Sequence, residues 1–468
     1  MSTPSPRPTR CRWCSSPRGR VWIGLLALAA LALLLYHLPP VHARLAWRLE
    51  DGYARLKAWL HPPEEAVFVP EMQQQLQRMV TQTLLALTPT VTPTPRPTPL
   101  PNVAPTATPT PLPERVALNV PRYFSQCNRW NYCGPANLAM ALNFWGWSGD
   151  RDDVARAIKP GENDLSKSFI DRGKTDLNVM PYEMVDFVNE QTGLRALFRY
   201  GGEVTLLKHL LANGFPVIIE KGYYQRDSRG RISWMGHYAF VTGYDEGQGG
   251  FLWQDAYPNH CQDSADPRLV EKQGRDNLSP YADFVAGWRG FNYLFLIVYP
   301  PEREAEVLAL LGPWAETRWA AEHALQIAEG EIQTLTDLDL FFAWFNKGTS
   351  HVQLLEYADA AAAYDYAFQL YAALPDEARR PYRMLWYQTG PYWAYYYTGR
   401  YQDVVRLADV TLESVAYGPT LEESLYWKAM AQYALGQTGE ACANMRRAVY
   451  LNQNFAAGLS MIQTWGCP

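Results

Sequence analysis

From Val21 to Leu38 the chain reads VWIGLLALAALALLLYHL, an apolar run with no charged residue other than a possible His37. About 18 helical residues at 1.5 Å rise come close to spanning a hydrocarbon core of ~30 Å, so this stretch predicts a transmembrane helix. Residues 44–87 then alternate apolar and polar at helical spacing in two stretches, Leu45 to Leu60 and Met72 to Leu87, separated by His61-Pro62-Pro63. They predict membrane-proximal helices. From Thr88 to Glu114 the periodicity stops: 10 of 27 residues are proline and 8 are threonine. Such a segment cannot build a core and is expected to run as polyproline II, a linker reaching ~80 Å when extended.

Between residues 115 and 300 the pattern is mixed. Helical spacing runs from Cys133 to Trp145, Pro181 to Gln191, Glu203 to Asn213 and Pro280 to Trp288. Strand-like runs are Pro216 to Glu220, Tyr238 to Tyr244, Phe251 to Asp255 and Asn292 to Tyr299. Helices first and strands later, without regular alternation, predict an α+β domain with an antiparallel sheet. Over residues 301–468 strand signals vanish and the chain becomes helical. Gly348, Tyr357, Ala360, Tyr364 and Ala367, partly repeated by Ala429, Ala441, Met445 and Ala448, have the small-aromatic-small spacing of tetratricopeptide-like helix pairs. Gly399-Arg400-Tyr401 and Gly436-Gln437-Thr438 are the expected turns. The helical array serves either as a groove for a protein partner or as a support for the preceding domain.

Composition excludes several classes. The 468 residues allow about three domains. With 48 % hydrophobic and 19 % charged residues wholesale disorder is excluded, and a net charge of −5 argues against a nucleic-acid binder. Residues 1–20 hold five arginines and no acid. By the positive-inside rule this basic segment stays cytoplasmic, which predicts a single-pass membrane protein with its bulk extracytoplasmic. Val41-His42-Ala43 resembles a signal-peptidase site, so a cleaved signal and a secreted product is the rival reading.

The candidate chemistry starts at Ser125 to Leu142, SQCNRWNYCGPANLAMAL, where Cys133 stands at the junction of a loop and an apolar helix. Unpaired amides and the macrodipole at a helix N-terminus favour a thiolate, the nucleophile that acyl transfer requires. His237, in Gly236-His237-Tyr238 at the head of a strand, is the candidate base, with the glycine leaving room beside its ring. Asp255, on the expected neighbouring strand, can accept the second imidazole N–H and fix the tautomer. Gln126 can join the Cys133 amide as oxyanion donor. The bland alternatives are a buried helix cysteine, a core histidine, a turn aspartate and a loop amide; His209 and His260 look structural. No spacing resembles a zinc site, and Cys11-x-x-Cys14 lacks a second ligand pair, so neither metal nor cofactor is expected.

With Gln126, Tyr132-Cys133-Gly134-Pro135-Ala136, Gly236-His237-Tyr238, Asp255 and the Phe284 to Trp288 helix leading into YLFLIVYP, residues 117–300 resemble papain-like cysteine peptidases of the bacteriocin-processing, double-glycine-leader type, cysteine peptidase family 39, especially the stand-alone relatives. The resemblance implies a papain-like fold, a Cys133 nucleophile, a His237 base, an Asp255 orienter and a Gln126 oxyanion donor. The reading is a membrane-tethered, extracytoplasmic cysteine peptidase acting on peptides or proteins through a thioacyl intermediate. Its alternatives are a papain-like acyltransferase or cell-wall amidase, and an inactive peptide-binding or assembly module. Export permits oxidation. With Cys133 reserved, the other exported cysteines form two expected pairs, Cys127 with Cys261 and Cys442 with Cys467.

Overall fold

The computed structural model describes residues 111–127, 131–160, 178–226, 232–258, 266–375, 380–414 and 421–467, with isolated positions between 24 and 70. The chain divides into two compact units, residues 1–60 and 61–468. In the first, the described helical positions include Gly24, Leu25, Ala27, Leu28 and residues 34–36, and a bend falls at Leu38. Leu25, Leu28, Leu34 and Leu35 are exposed. Among the described residues no helix is long and apolar enough to cross a membrane. This overturns the expected transmembrane helix and with it the single-pass, extracytoplasmic placement. The physical reason is length: the apolar run is at the short end of the ~17 to 25 residues a span needs. The basic segment 1–20, nearly all of 44–87 and most of the linker lie outside the described residues.

In the second unit, seven strands form one sheet: β1 (Arg115–Ala117), β2 (Arg195–Arg199), β3 (Val217–Arg226), β4 (Ile232–Asp245), β5 (Gly250–Gln254), β6 (Asn277–Pro280) and β7 (Phe295–Tyr299). Their order is β2-β7-β3-β4-β5-β6, with β1 paired to the end of β4, and every pairing is antiparallel. Among the described residues six helices accompany it: α1 (Cys133–Phe144), α2 (Arg151–Ile158), α3 (Pro181–Gln191), α4 (Val204–Ala212), α5 (Pro267–Gly274) and α6 (Tyr281–Arg289). The sheet is covered on both faces. Ile218, Phe240, Leu296 and Val298 meet Leu138 and Leu142 of α1 and Met184 and Phe187 of α3. Val217, Ile219, Val241 and Ile297 meet the leucines of α4 and Phe284 and Trp288 of α6. Because strand side chains alternate, two covered faces demand unbroken apolar runs, which is why PVII and FLIVY were legible. β1, β2 and β6 are short and half polar, and the sequence reading missed them. It also missed α2, whose start is fixed by a reciprocal cap between Asp150 and Asp153.

The C-terminal part is helical: α7 (Glu304–Leu311), α8 (Thr317–Ile332), α9 (Asp337–Gln353), α10 (Tyr357–Ala373), α11 (Met384–Tyr387), α12 (Gly390–Tyr397), α13 (Tyr401–Glu413), α14 (Glu422–Ala434), α15 (Thr438–Leu451) and α16 (Ala456–Trp465). Ala360, Tyr364, Ala367, Ala429, Ala441, Met445 and Ala448 are fully buried. A Cβ at Gly348 would lie 2.7 Å from the Tyr364 ring, so the helices approach closely there because glycine allows it. These contacts explain the spacing read from the sequence but do not by themselves establish tetratricopeptide repeats. Phe68, from the stretch expected beside a membrane, is instead buried in this core, 5.1 Å edge-on to Phe368.

The helical part packs against the sheet domain. Trp234 of β4 stacks on Phe291 at 5.6 Å and touches Phe342 of α9 and Tyr387 of α11. Arg289 binds Glu331 at 2.8 Å and Asp339 at 3.0 Å. Lys159 and Glu422 pair at 2.8 Å, both side chains fully buried. A support for the preceding domain is therefore a role these helices do fill.

Candidate active site

Cys133 is the first residue of α1, and no side chain caps that helix. The Cys133 and Gly134 amides at this end of the helix are therefore not taken by a side-chain cap. The helix is held to β4 by one residue. Asn137, fully buried and one turn after Cys133, donates Nδ2–H to the Cys133 carbonyl at 2.8 Å and to the Tyr238 carbonyl at 2.9 Å. Tyr238 in turn donates its hydroxyl to Val179 at 3.0 Å. This clamp sets the cysteine against the histidine strand.

His237 lies on β4 opposite Lys221 of β3, with Tyr223 edge-on to its ring at 5.6 Å. Gly236 does more than leave room for the ring. A Cβ there would meet Phe291 at 2.6 Å and Tyr387 at 3.0 Å, so its space is filled by packing from the helical part. Asp255 follows β5. Its Oδ1 lies 3.0 Å from His237 Nε2 and also accepts the Tyr257 amide at 2.8 Å. The Asp255 backbone is held too, its N–H donating to Gly274 at 2.7 Å and its carbonyl accepting the Tyr123 hydroxyl at 2.5 Å. With Nε2 turned to Asp255, Nδ1 is the nitrogen left for Cys133. Gln126 donates its backbone N–H to Ala256 at 2.6 Å, which lays its loop along the residue after Asp255, and its Oε1 is buried without a partner. Cys133, His237 and Asp255 are therefore brought together, and the Gln126 loop is laid beside the residue after Asp255.

The electrostatics favour an ion pair. Burial pushes the Cys133 thiol up, but the His237 hydrogen bond and charge, with the Tyr238 and Gly134 amides, more than reverse this and leave it below its ordinary value. Burial pulls His237 down, yet hydrogen bonds and charge from Asp255 and Cys133 raise it to about 9. Asp255 is opposed by burial and still held below its ordinary range, first by the His237 hydrogen bond and charge. A thiolate facing an imidazolium is the state this geometry stabilises around neutral pH.

Several neighbours were not foreseen. Glu220, buried on β3, is pushed well above the carboxylate range by burial and by the Cys133 charge. Kept neutral, it adds no negative charge against the thiolate. Lys221 is lowered to about 8 by burial, partly offset by Asp255, and its Nζ sits 3.5 Å from the Trp253 ring centre. Nothing in the local sequence flags this pair, which the β3–β4 register brings beside His237, or Tyr387, from a helix far along the chain. Among the described residues Cys133 is the free cysteine. Cys442 and Cys467 form the expected disulfide. Cys127 is disulfide-bonded as well, while Cys261 lies outside the described residues. Two groups of ligand-type side chains converge elsewhere, His351-Glu356-Asp359 and Glu183-Glu422-Glu423. In the second, Lys159 Nζ already stands 2.8 Å from Glu422 and 3.6 Å from Glu183, the place a metal ion would take.

A solved structure from Bacillus anthracis, assigned as a C39-like peptidase, is 18 % identical; the match covers 40 % of this chain and 98 % of that one, with a TM-score of 0.27. Xylellain, a cysteine protease from Xylella fastidiosa, is 17 % identical over 43 % of this chain and 94 % of that one, also with a TM-score of 0.27. No curated protein matches. Residues 117–274 match the model of the Peptidase_C39 like family.

Proposed function

We propose that the sheet domain is a cysteine peptidase, with Cys133 as nucleophile, His237 as acid and base, Asp255 as its orienter and Gln126 as oxyanion donor. The observation that carries this is the 3.0 Å contact of His237 Nε2 with Asp255 Oδ1, made by a histidine whose other nitrogen serves a thiol held below its ordinary pKa. The Cys133 sulfur adds to a peptide carbonyl, and the oxyanion accepts hydrogen bonds from the Cys133 amide and the Gln126 side-chain amide. His237 Nδ1–H gives its proton to the leaving amine as the C–N bond breaks, leaving a thioester on Cys133. Water, deprotonated by His237, then opens the thioester and releases the acid. Asp255 keeps the proton on Nε2 throughout, so Nδ1 is always the working nitrogen.

The test is cleavage of a diverse peptide pool read by mass spectrometry. The wild-type chain is expected to produce new termini, and Cys133→Ala to produce none while melting at a similar temperature. A wild-type chain that leaves every peptide intact, and whose Cys133 alkylates no faster than a model thiol, refutes the reading.

A further inference from the structure

Away from Cys133, a cavity of about 650 Å³ opens between α2 and α3 of the sheet domain and α12, α14 and the turn after α15 of the helical part. Its chemistry is one-sided. Glu183, Asp186 and Glu190 line it from a single face of α3, at positions i, i+3 and i+7, and Glu423 lines it from α14. Among the described residues none of its lining side chains is basic. The opposite wall is aromatic. Trp393 packs on Trp427 with ring centres 4.8 Å apart and on Tyr397 at 5.9 Å, and Tyr426 adjoins Trp427 at 5.3 Å. Trp393 and Tyr397 keep 37 % and 54 % of their surface exposed, unusual for large rings at a seam between two packed parts.

Behind the acidic wall further carboxylates converge. Those of Glu183, Glu422 and Glu423 lie within 4.8 Å of one another, and Lys159 bonds Glu422 and Glu183. Glu422 is fully buried, gives Oε1 to Lys159 and Asn452, and leaves Oε2 with no hydrogen-bond partner. Burial and the Glu422 charge, against the pull of Lys159, push Glu183 up to about 7. Asp186 is likewise raised by burial and by Glu190. A cleft with acidic groups on one side and exposed ring faces on the other is the arrangement that recognises a cationic side chain, by charge and by cation–π contact. Its volume is that of a site for a drug-sized ligand rather than one ion, with room for several residues of chain.

We infer that this cleft docks a basic peptide segment, an arginine or lysine side chain lying over Trp393 and Tyr397 with Asp186 and Glu190 as counter-charges. The site is distinct from Cys133 and needs no turnover, so it stands or falls separately from the peptidase reading. The experiment uses the full chain carrying Cys133→Ala, a fluorescein-labelled decapeptide with two arginines, and the same peptide with citrulline in their place, followed by fluorescence anisotropy. The arginine peptide is expected to bind at least about tenfold tighter, and more weakly as salt rises. Asp186→Asn with Glu190→Gln should weaken it about fivefold or more, as should Trp393→Ala. These side chains are partly exposed, and an unchanged melting temperature will show that the variants fold. Equal binding of the arginine and citrulline peptides overturns the inference. So does unchanged affinity in both variants, or displacement of the peptide by calcium at matched ionic strength, which would reassign the cleft to a metal ion. Peptide cleavage by the wild-type chain, measured separately, bears on Cys133 alone.

Discussion

Replacing Asp255 by asparagine removes the charge behind His237 while keeping an oxygen that can accept Nε2–H. His237 stands at about 9 instead of 6.5, although burial opposes it. At about 1.36 kcal/mol per tenfold change in proton affinity, that gap of roughly 2.5 decades is about 3 kcal/mol net in favour of imidazolium. Asp255 and Cys133 each contribute one hydrogen bond and one charge, with the Asp255 hydrogen bond the largest of the favourable causes. Asparagine keeps a hydrogen bond but not the charge that strengthens it, a change of about 1.5 kcal/mol. The sign follows from the raised pKa: imidazolium is present below about 9 and lost as pH rises through it. In Asp255→Asn that loss comes about one pH unit earlier, and the Cys133 thiol, deprived of part of its positive neighbour, ionises at higher pH. The window for thiolate and imidazolium narrows from both sides. The rate of Cys133 alkylation by iodoacetamide, followed by mass spectrometry from about pH 4 to 10, reads this without a substrate. The acid limb should move up by about one unit, and the kcat/KM profile on a cleaved peptide should lose its alkaline shoulder. Superimposable alkylation profiles for wild type and Asp255→Asn would refute the claim that Asp255 sets the charge of the pair.

Three further outcomes are expected. Asn137→Ala removes the clamp at 2.8 and 2.9 Å between α1 and β4; a loss of about 1 to 3 kcal/mol is expected in urea unfolding. Its kcat/KM should fall about tenfold, because a small misplacement of the nucleophile is costly. Lys159→Met leaves Glu422 buried without its cation, which should cost about 3 to 5 kcal/mol by the same measurement, and adding Glu422→Leu should recover most of it. Gly236→Ala forces a methyl to 2.6 Å from Phe291 and 3.0 Å from Tyr387; a drop in melting temperature matching about 1 to 3 kcal/mol is expected, together with slower Cys133 alkylation.

The proposed Cys133, His237 and Asp255 were legible because each sits on or beside an element with a strong local signature. Cys133 opens an apolar helix, His237 heads a run of buried strand residues, and Asp255 ends FLWQ. The membrane expectation came from equally local evidence and failed. Hydropathy counts apolar residues in a run, and this run is short enough that composition alone did not decide whether a spanning helix forms.

The sequence by itself determined which segments are helix and strand where both faces are buried, which cysteine is the candidate nucleophile, and the order Gln126, Cys133, His237, Asp255 along the chain. Tertiary structure decided the rest. Only the β3–β4 register sets Lys221 opposite His237 and Glu220 opposite Tyr238, because pairing partners depend on sheet order and not on local periodicity. Only the docking of the helical part brings Tyr387 against Gly236 and Glu422 against Lys159, contacts between residues separated by 151 and 263 positions. A pattern of hydrophobic and polar residues says which face of an element is buried. What that face is buried against is fixed by packing between distant segments, which is why the acidic and aromatic walls of the cleft became one site only in the folded chain.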